Sequence, residues 1–125
     1  MGNTEIRADV ARNRLYVIVQ GFLTSQENNE SVDKILEALR KLRPGFDMIT
    51  DMATMKVATE EGSEGFGRAH EAIKAMGQKN NILVVKDPLV RMQIERMSRE
   101  AGTPAEFASS IEEAERILEG KKQVV

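Results

Sequence analysis

Few side chains in this chain are of the types and spacings that do chemistry. His70 is the only histidine among 125 residues, and there is no cysteine. Disulfides, thiolate zinc sites and cysteine nucleophiles are therefore excluded. One histidine with no Asp-x-Asp-x-Asp loop argues against a metal centre, and no cofactor is expected. A catalytic triad needs nucleophile, base and orienting group in mutual reach. His70 instead sits beside the Phe66, Ala69, Ile73 stripe and reads as a partly exposed helix position. Gly62-Ser63-Glu64-Gly65-Phe66-Gly67 has the composition of a phosphate loop. It lacks the Lys-Ser/Thr ending of a P-loop and the Gly-x-Gly-x-x-Gly spacing of dinucleotide folds. Its neighbouring glutamates would repel phosphate, so its small residues are better suited to close packing of a helix. Glu27, Glu30 and Asp33 stand near a helix start, where acidic residues are electrostatically favoured.

Two polar groups remain. The run Thr59-Glu60-Glu61-Gly62-Ser63-Glu64 places carboxylates where a helix should begin, and free N–H groups there attract negative charge. Thr24, Asp51 and Lys86-Asp87 follow strands, where ligands of open α/β sheets gather. Seven methionines accompany one tyrosine and no tryptophan. Met48, Met52 and Met55 cluster in and after one strand, while Met92 and Met97 share a helix. Adaptable core filling is one reading; the other sets Met52 and Met55 at the border of a partner surface beside Glu60 and Glu61.

The elements that must position these groups follow from periodicity. Ile6, Ala8 and Val10 alternate with polar residues, Ala11 to Arg14 supplies a polar turn, and Leu15 to Val19 completes a hairpin ended by Gly21. Thr24-Ser25-Gln26-Glu27 has capping-box spacing. Val32, Ile35, Leu36, Leu39 and Leu42 then give a helix one apolar face, stopped by Pro44-Gly45. Phe46 to Met52 is a strand with Asp51 near its end. After an irregular stretch from Ala53 to Ser63, a helix should run from about Glu60 to Met76, burying Phe66, Ala69, Ile73 and Met76. Gly77 is its C-terminal glycine.

Asn81 to Lys86 reads as a strand covered on both faces. Asp87-Pro88 opens a helix whose Val90, Ile94, Met97 and Ala101 face inward and which Gly102 ends. Ala105 to Ala108 is a short strand. Ser110-Ile111-Glu112-Glu113 is a second capping box, opening a helix with Ala114, Ile117 and Leu118 inward. The order β-β-α-β-α-β-α-β-α implies one α/β domain over residues 1–120, with a mixed, mainly parallel sheet and four helices. Right-handed crossovers are expected, and residues 121–125 read as a frayed tail.

Composition sets the remaining bounds. Hydrophobic residues are 41 % and charged residues 30 % of the chain, ordinary for one packed core. A net charge of −2 argues against nucleic acid or an anionic membrane as partner. The first residues lack a signal-peptide pattern, and the longest apolar runs fall far short of a bilayer span. A cytoplasmic location is the expectation.

The layout and several local motifs resemble the STAS family, the sulphate transporter and anti-sigma factor antagonist domains. Gly21-Phe22-Leu23-Thr24 stands where that family's second strand runs into a Gly-x-Leu-Thr-like segment. Arg99-Glu100-Ala101-Gly102, Glu106-Phe107-Ala108 and Ser110 through Glu113-Ala114 match its closing helix end, strand and Ser-x-x-Glu-Ala helix. Phosphorylatable antagonists carry Asp-Ser-Ser-Gly at the start of the second helix. Counted without gaps from Asp51, this chain has Thr59-Glu60-Glu61-Gly62 there.

The resemblance implies a noncatalytic module that contacts a regulatory protein, such as an anti-sigma kinase-like partner, through residues 59–64. Glu60 and Glu61 either begin a helix and do nothing more, or hold a fixed negative charge where the family has a reversible phosphate. A carboxylate carries one charge against about −1.5 to −2 for a phosphate, so the imitation is incomplete. Thr59 and Ser63 are the remaining hydroxyls that a kinase could modify. A small-ligand or nucleotide sensor using Thr24, Asp51, Lys86 and Asp87 is the alternative, an enzyme comes third, and a homodimer is compatible with both binding readings.

Overall fold

The computed structural model describes residues 3–21, 25–55, 71–100 and 106–123. The amino-terminal hairpin joins β1 (Asn3–Asp9) to β2 (Arg14–Gly21) in antiparallel register, Asp9 opposite Arg14 and Ile6 opposite Val17. The turn between them occupies residues 10–13. Asn13 takes a positive φ of 53°, which asparagine tolerates better than most side chains. The Asp9 carboxylate accepts the Arg12 backbone N–H at 3.1 Å and its guanidinium at 3.2 Å. Two sequence expectations change here. Val10 lies in the turn and is exposed, because the hairpin closes one residue earlier than its alternation suggested. Arg14 belongs to β2, where it is buried.

The rest of the chain alternates helix and strand: α1 (Ser25–Leu39), β3 (Asp47–Met55), α2 (residues 71–75), β4 (Asn80–Val84), α3 (Pro88–Glu100), β5 (Glu106–Ala108) and α4 (Ile111–Gln123). The five strands stand in the order β1-β2-β3-β4-β5, with β2 to β5 parallel. A sheet that advances in one direction by crossovers of one hand sets the crossover helices on one face. The buried clusters agree. Leu15, Val17 and Val19 of β2, Met48 and Met52 of β3 and Leu83 of β4 pack with Ile35 and Leu39 of α1, Ile73 of α2, and Val90 and Ile94 of α3. On the other face Tyr16, Ile49, Ile82, Val84 and Ala108 meet Ala114 and Leu118 of α4.

Three helix ends follow their sequence signals, whereas α1 stops at Leu39, ahead of Leu42 and of Pro44-Gly45. Asp87 Oδ1 accepts the Leu89 N–H at 2.8 Å, and the Asp87 carbonyl accepts that of Arg91 at 3.0 Å, so Asp87 caps α3. Ser110 Oγ accepts the Glu113 N–H at 3.1 Å. The Glu113 carboxylate reaches past Ser110 to the Ser109 N–H and hydroxyl, one residue beyond a standard capping box. Gly77 follows α2 with φ of 100°, and its N–H bonds the Lys74 carbonyl at 3.0 Å. The capping box at Thr24 lies outside the described residues, as do Phe66, Ala69, Ala101 and Gly102. The carboxy-terminal helix corrects one boundary: α4 continues through Gln123, and Lys121 Nζ pairs with Glu106 of β5 at 3.0 Å. Residues 121–123 are therefore helix, not tail.

Candidate functional site

The carboxyl edge of the parallel strands is where the sequence places its binding residues. Asp51 sits mid-way along β3, since the strand runs on to Met55 and pairs with β2 that far. It is nonetheless the last β3 residue opposite β4, facing Val84. Between Ile18↔Asp51 and Gln20↔Thr54 the register shifts, with two steps along β2 against three along β3. The extra β3 residue makes a bulge. Asp51 Oδ1 accepts the Ala53 N–H at 2.9 Å within that irregularity, satisfying a donor where the ladder is disturbed. The strand was expected to end at Met52; the bulge carries it onward.

Of the candidate ligand-binding residues, Asp51 is half-buried, Lys86 is exposed after β4, and Asp87 is half-buried with one carboxylate oxygen taken by its cap. Thr24 lies outside the described residues. So does the whole candidate partner-binding run Thr59, Glu60, Glu61, Gly62, Ser63 and Glu64, with both candidate phosphorylation sites and His70. Met48 and Met52 are buried, Met52 completely. Met52 is thus core filling and cannot border a partner surface; a strand residue on the three-helix face points inward whatever lies beyond its end. Met92 is exposed, as is Leu89 one turn before it on α3. Among the described residues, no group of three or more His, Asp or Glu side chains could hold a metal ion.

A charged cluster at the opposite end of the sheet had no sequence expectation. Arg14 opens β2 on the α4 side with its side chain 1 % exposed. Its Nη2 donates to Glu119 Oε1 at 2.9 Å, and its Nη1 to the Tyr16 hydroxyl at 3.3 Å. Tyr16 in turn donates to Glu115 Oε2 at 2.9 Å. Burial pulls the Arg14 pKa down, but the Tyr16 and Glu119 bonds outweigh it and hold the guanidinium above its ordinary value. Arg7 of β1 lies over the Tyr16 ring, 4.5 Å from its centroid. Glu115 and Glu119 fall one helical turn apart, so only the facing strand decides that they share a cation.

No family model and no curated protein matches this sequence. Solved structures do match its shape. An uncharacterized protein from the DUF3478 family with a SpoIIAA-like fold, from Shewanella loihica PV-4, superposes at a TM-score of 0.70 over 94 % of this chain and 93 % of that one, with 12 % identity. The fold is SpoIIAA-like. An anti-sigma factor antagonist from Mycobacterium paratuberculosis superposes at a TM-score of 0.66, again over 94 % of this chain and 93 % of that one, with 13 % identity. The SpoIIAA-like architecture thus extends over nearly the whole chain, and the STAS-like order expected from the sequence is the order observed. No helix among the described residues is long and apolar enough to cross a membrane.

Proposed function

We propose that this chain is a noncatalytic regulatory module that works by contact with a protein partner, in the manner of an anti-sigma factor antagonist, in the cytoplasm. The observation that carries the reading is the superposition on such an antagonist over 94 % of the chain. The contact surface in this reading is the run from Thr59 to Glu64, which follows β3 in the sequence. Glu60 and Glu61 occupy the positions of the phosphorylatable serines in the STAS pattern, so charge there is permanent. A permanent carboxylate at the edge of an interface acts mainly on encounter rate and selectivity.

The test is affinity capture from the native cell with the wild-type chain and with Glu60→Lys/Glu61→Lys. The folded double variant should lose a basic partner that the wild type retains. Mass spectrometry of the cell-derived protein should find Thr59 and Ser63 unmodified. Unchanged capture by the variant returns the segment to plain helix capping, and phosphate on either hydroxyl restores the switch.

A further inference from the structure

Among the described residues the sheet ends on one side at β1, which pairs with β2 and with no other described strand. Its residues Thr4-Glu5-Ile6-Arg7-Ala8 are self-complementary when read against a second copy running the opposite way. Glu5 and Arg7 are exposed and project from the side of the sheet opposite α1, while Ile6 and Ala8 lean on the three-helix core and are only half-buried. Antiparallel pairing about a two-fold axis allows only registers in which a residue meets one of its own parity. Centred on Ile6, such a pairing sets Glu5 opposite Arg7 twice, Thr4 opposite Ala8, and Ile6 against itself. Moved to centre on Glu5 or on Arg7, it sets like charges face to face, and the Arg7 centre also opposes Glu5 to Asp9. Charged edge strands ordinarily resist pairing; here the alternation of sign leaves one register attractive and penalises its neighbours.

We infer that β1 is a homodimer edge, joining two copies through antiparallel β1–β1 pairing centred on Ile6 into one continuous ten-stranded sheet. Arg7 keeps its place over Tyr16 while its outer N–H groups face the partner's carboxylate. The interface is isologous and closed, so assembly stops at two copies. It rests on the sequence and exposure of β1 alone, so it is argued independently of the partner-contact reading.

Analytical ultracentrifugation of the full chain over rising concentration should show monomer–dimer exchange. Glu5→Lys and Arg7→Glu each replace two attractive pairs with two repulsive ones, and each should weaken the dimer about tenfold. Glu5→Arg/Arg7→Glu restores the pairing with signs exchanged and should bring the dimer back. Both positions are exposed, so circular dichroism should report folded protein in every case. A chain that stays monomeric at all concentrations, or a dimer indifferent to both single reversals, overturns the inference. So does a double variant no better than the singles.

Discussion

Arg14 and Glu119, 105 residues apart in sequence, meet at 2.9 Å and fasten the last helix to the start of the second strand. The arginine is buried and the glutamate is 53 % exposed, so the two ends of the bond are unequal. Removing the glutamate lets water and Glu115 take over. Removing the arginine leaves a void and a tyrosine hydroxyl with one partner fewer. Arg14→Ala should therefore cost about 2–3 kcal/mol, below the range for a fully buried pair because its carboxylates are wet, and Glu119→Gln less than about 1 kcal/mol. Urea unfolding midpoints of the two variants give the comparison, and equal losses would contradict the assignment of Arg14 as the buried member.

Met52 and Met92 separate the two roles that methionines could have had. Met52 is completely buried, and its truncation to alanine should cost about 2–5 kcal/mol. Met92 is exposed, and the same change there should stay within about 0.5 kcal/mol. Thermal unfolding of both variants measures the difference.

Acid stability should depend on two surface carboxylates. The Arg12 backbone N–H, with its guanidinium, holds Asp9 below its ordinary pKa, and the Ser109 hydroxyl and N–H do the same for Glu113. A group whose pKa is lower folded than unfolded binds more protons when unfolded, so stability rises with pH through that interval. The contribution is complete above the ordinary carboxylate values and is lost as pH falls through the folded ones. Asp9→Asn and Glu113→Gln should each flatten the decline in urea midpoint between about pH 6 and pH 3. A decline as steep as that of the wild type in both would show that these bonds do not form in solution.

Gly77 and Gly45 share a positive φ but differ in room. A Cβ at Gly77 would stand 3.0 Å from Cα and Cβ of Pro44, whereas at Gly45 it would meet nothing within 4 Å. Gly45→Ala thus carries only the cost of its backbone conformation, about 1 kcal/mol. Gly77→Ala adds a collision with backbone and should cost more, about 2–3 kcal/mol. Differential scanning calorimetry should rank the two in that order.

The elements legible in the sequence are those whose signals are local. The apolar stripes of α1 and α4, the Asp87-Pro88 start and the Gly77 stop each lie within a few residues of what they predict. What escaped is long-range. Ala11-Arg12-Asn13-Arg14 reads as a solvated turn, and only α4, whose Glu119 lies 105 residues on, makes the last of those positions a buried one. The extension of β3 past Met52 depends on a bulge opposite β2, which no pattern inside β3 announces. For the candidate site, the sequence showed neither that β3 runs on past Asp51 nor that Asp51 and Asp87 each already accept a backbone N–H. Residues 59–64 rest on their resemblance to the STAS pattern.

The loops at the amino ends of the parallel strands are tied to one another. Asn13 exchanges side-chain bonds with the Arg43 backbone at 2.8 and 3.2 Å and accepts the Asp47 N–H on its carbonyl at 3.1 Å. The Gly45 N–H bonds the Gly77 carbonyl at 2.6 Å, and the Lys79 N–H bonds that of Phe46 at 2.8 Å. Three connections from distant parts of the chain thereby form a single hem, which fixes where β2, β3 and β4 begin before any residue at their far ends is chosen. A domain hemmed in this way can accept new side chains after β3 without losing its strand alignment. Selection on folding can therefore act at these amino ends while the proposed contact run, residues 59–64, changes its side chains.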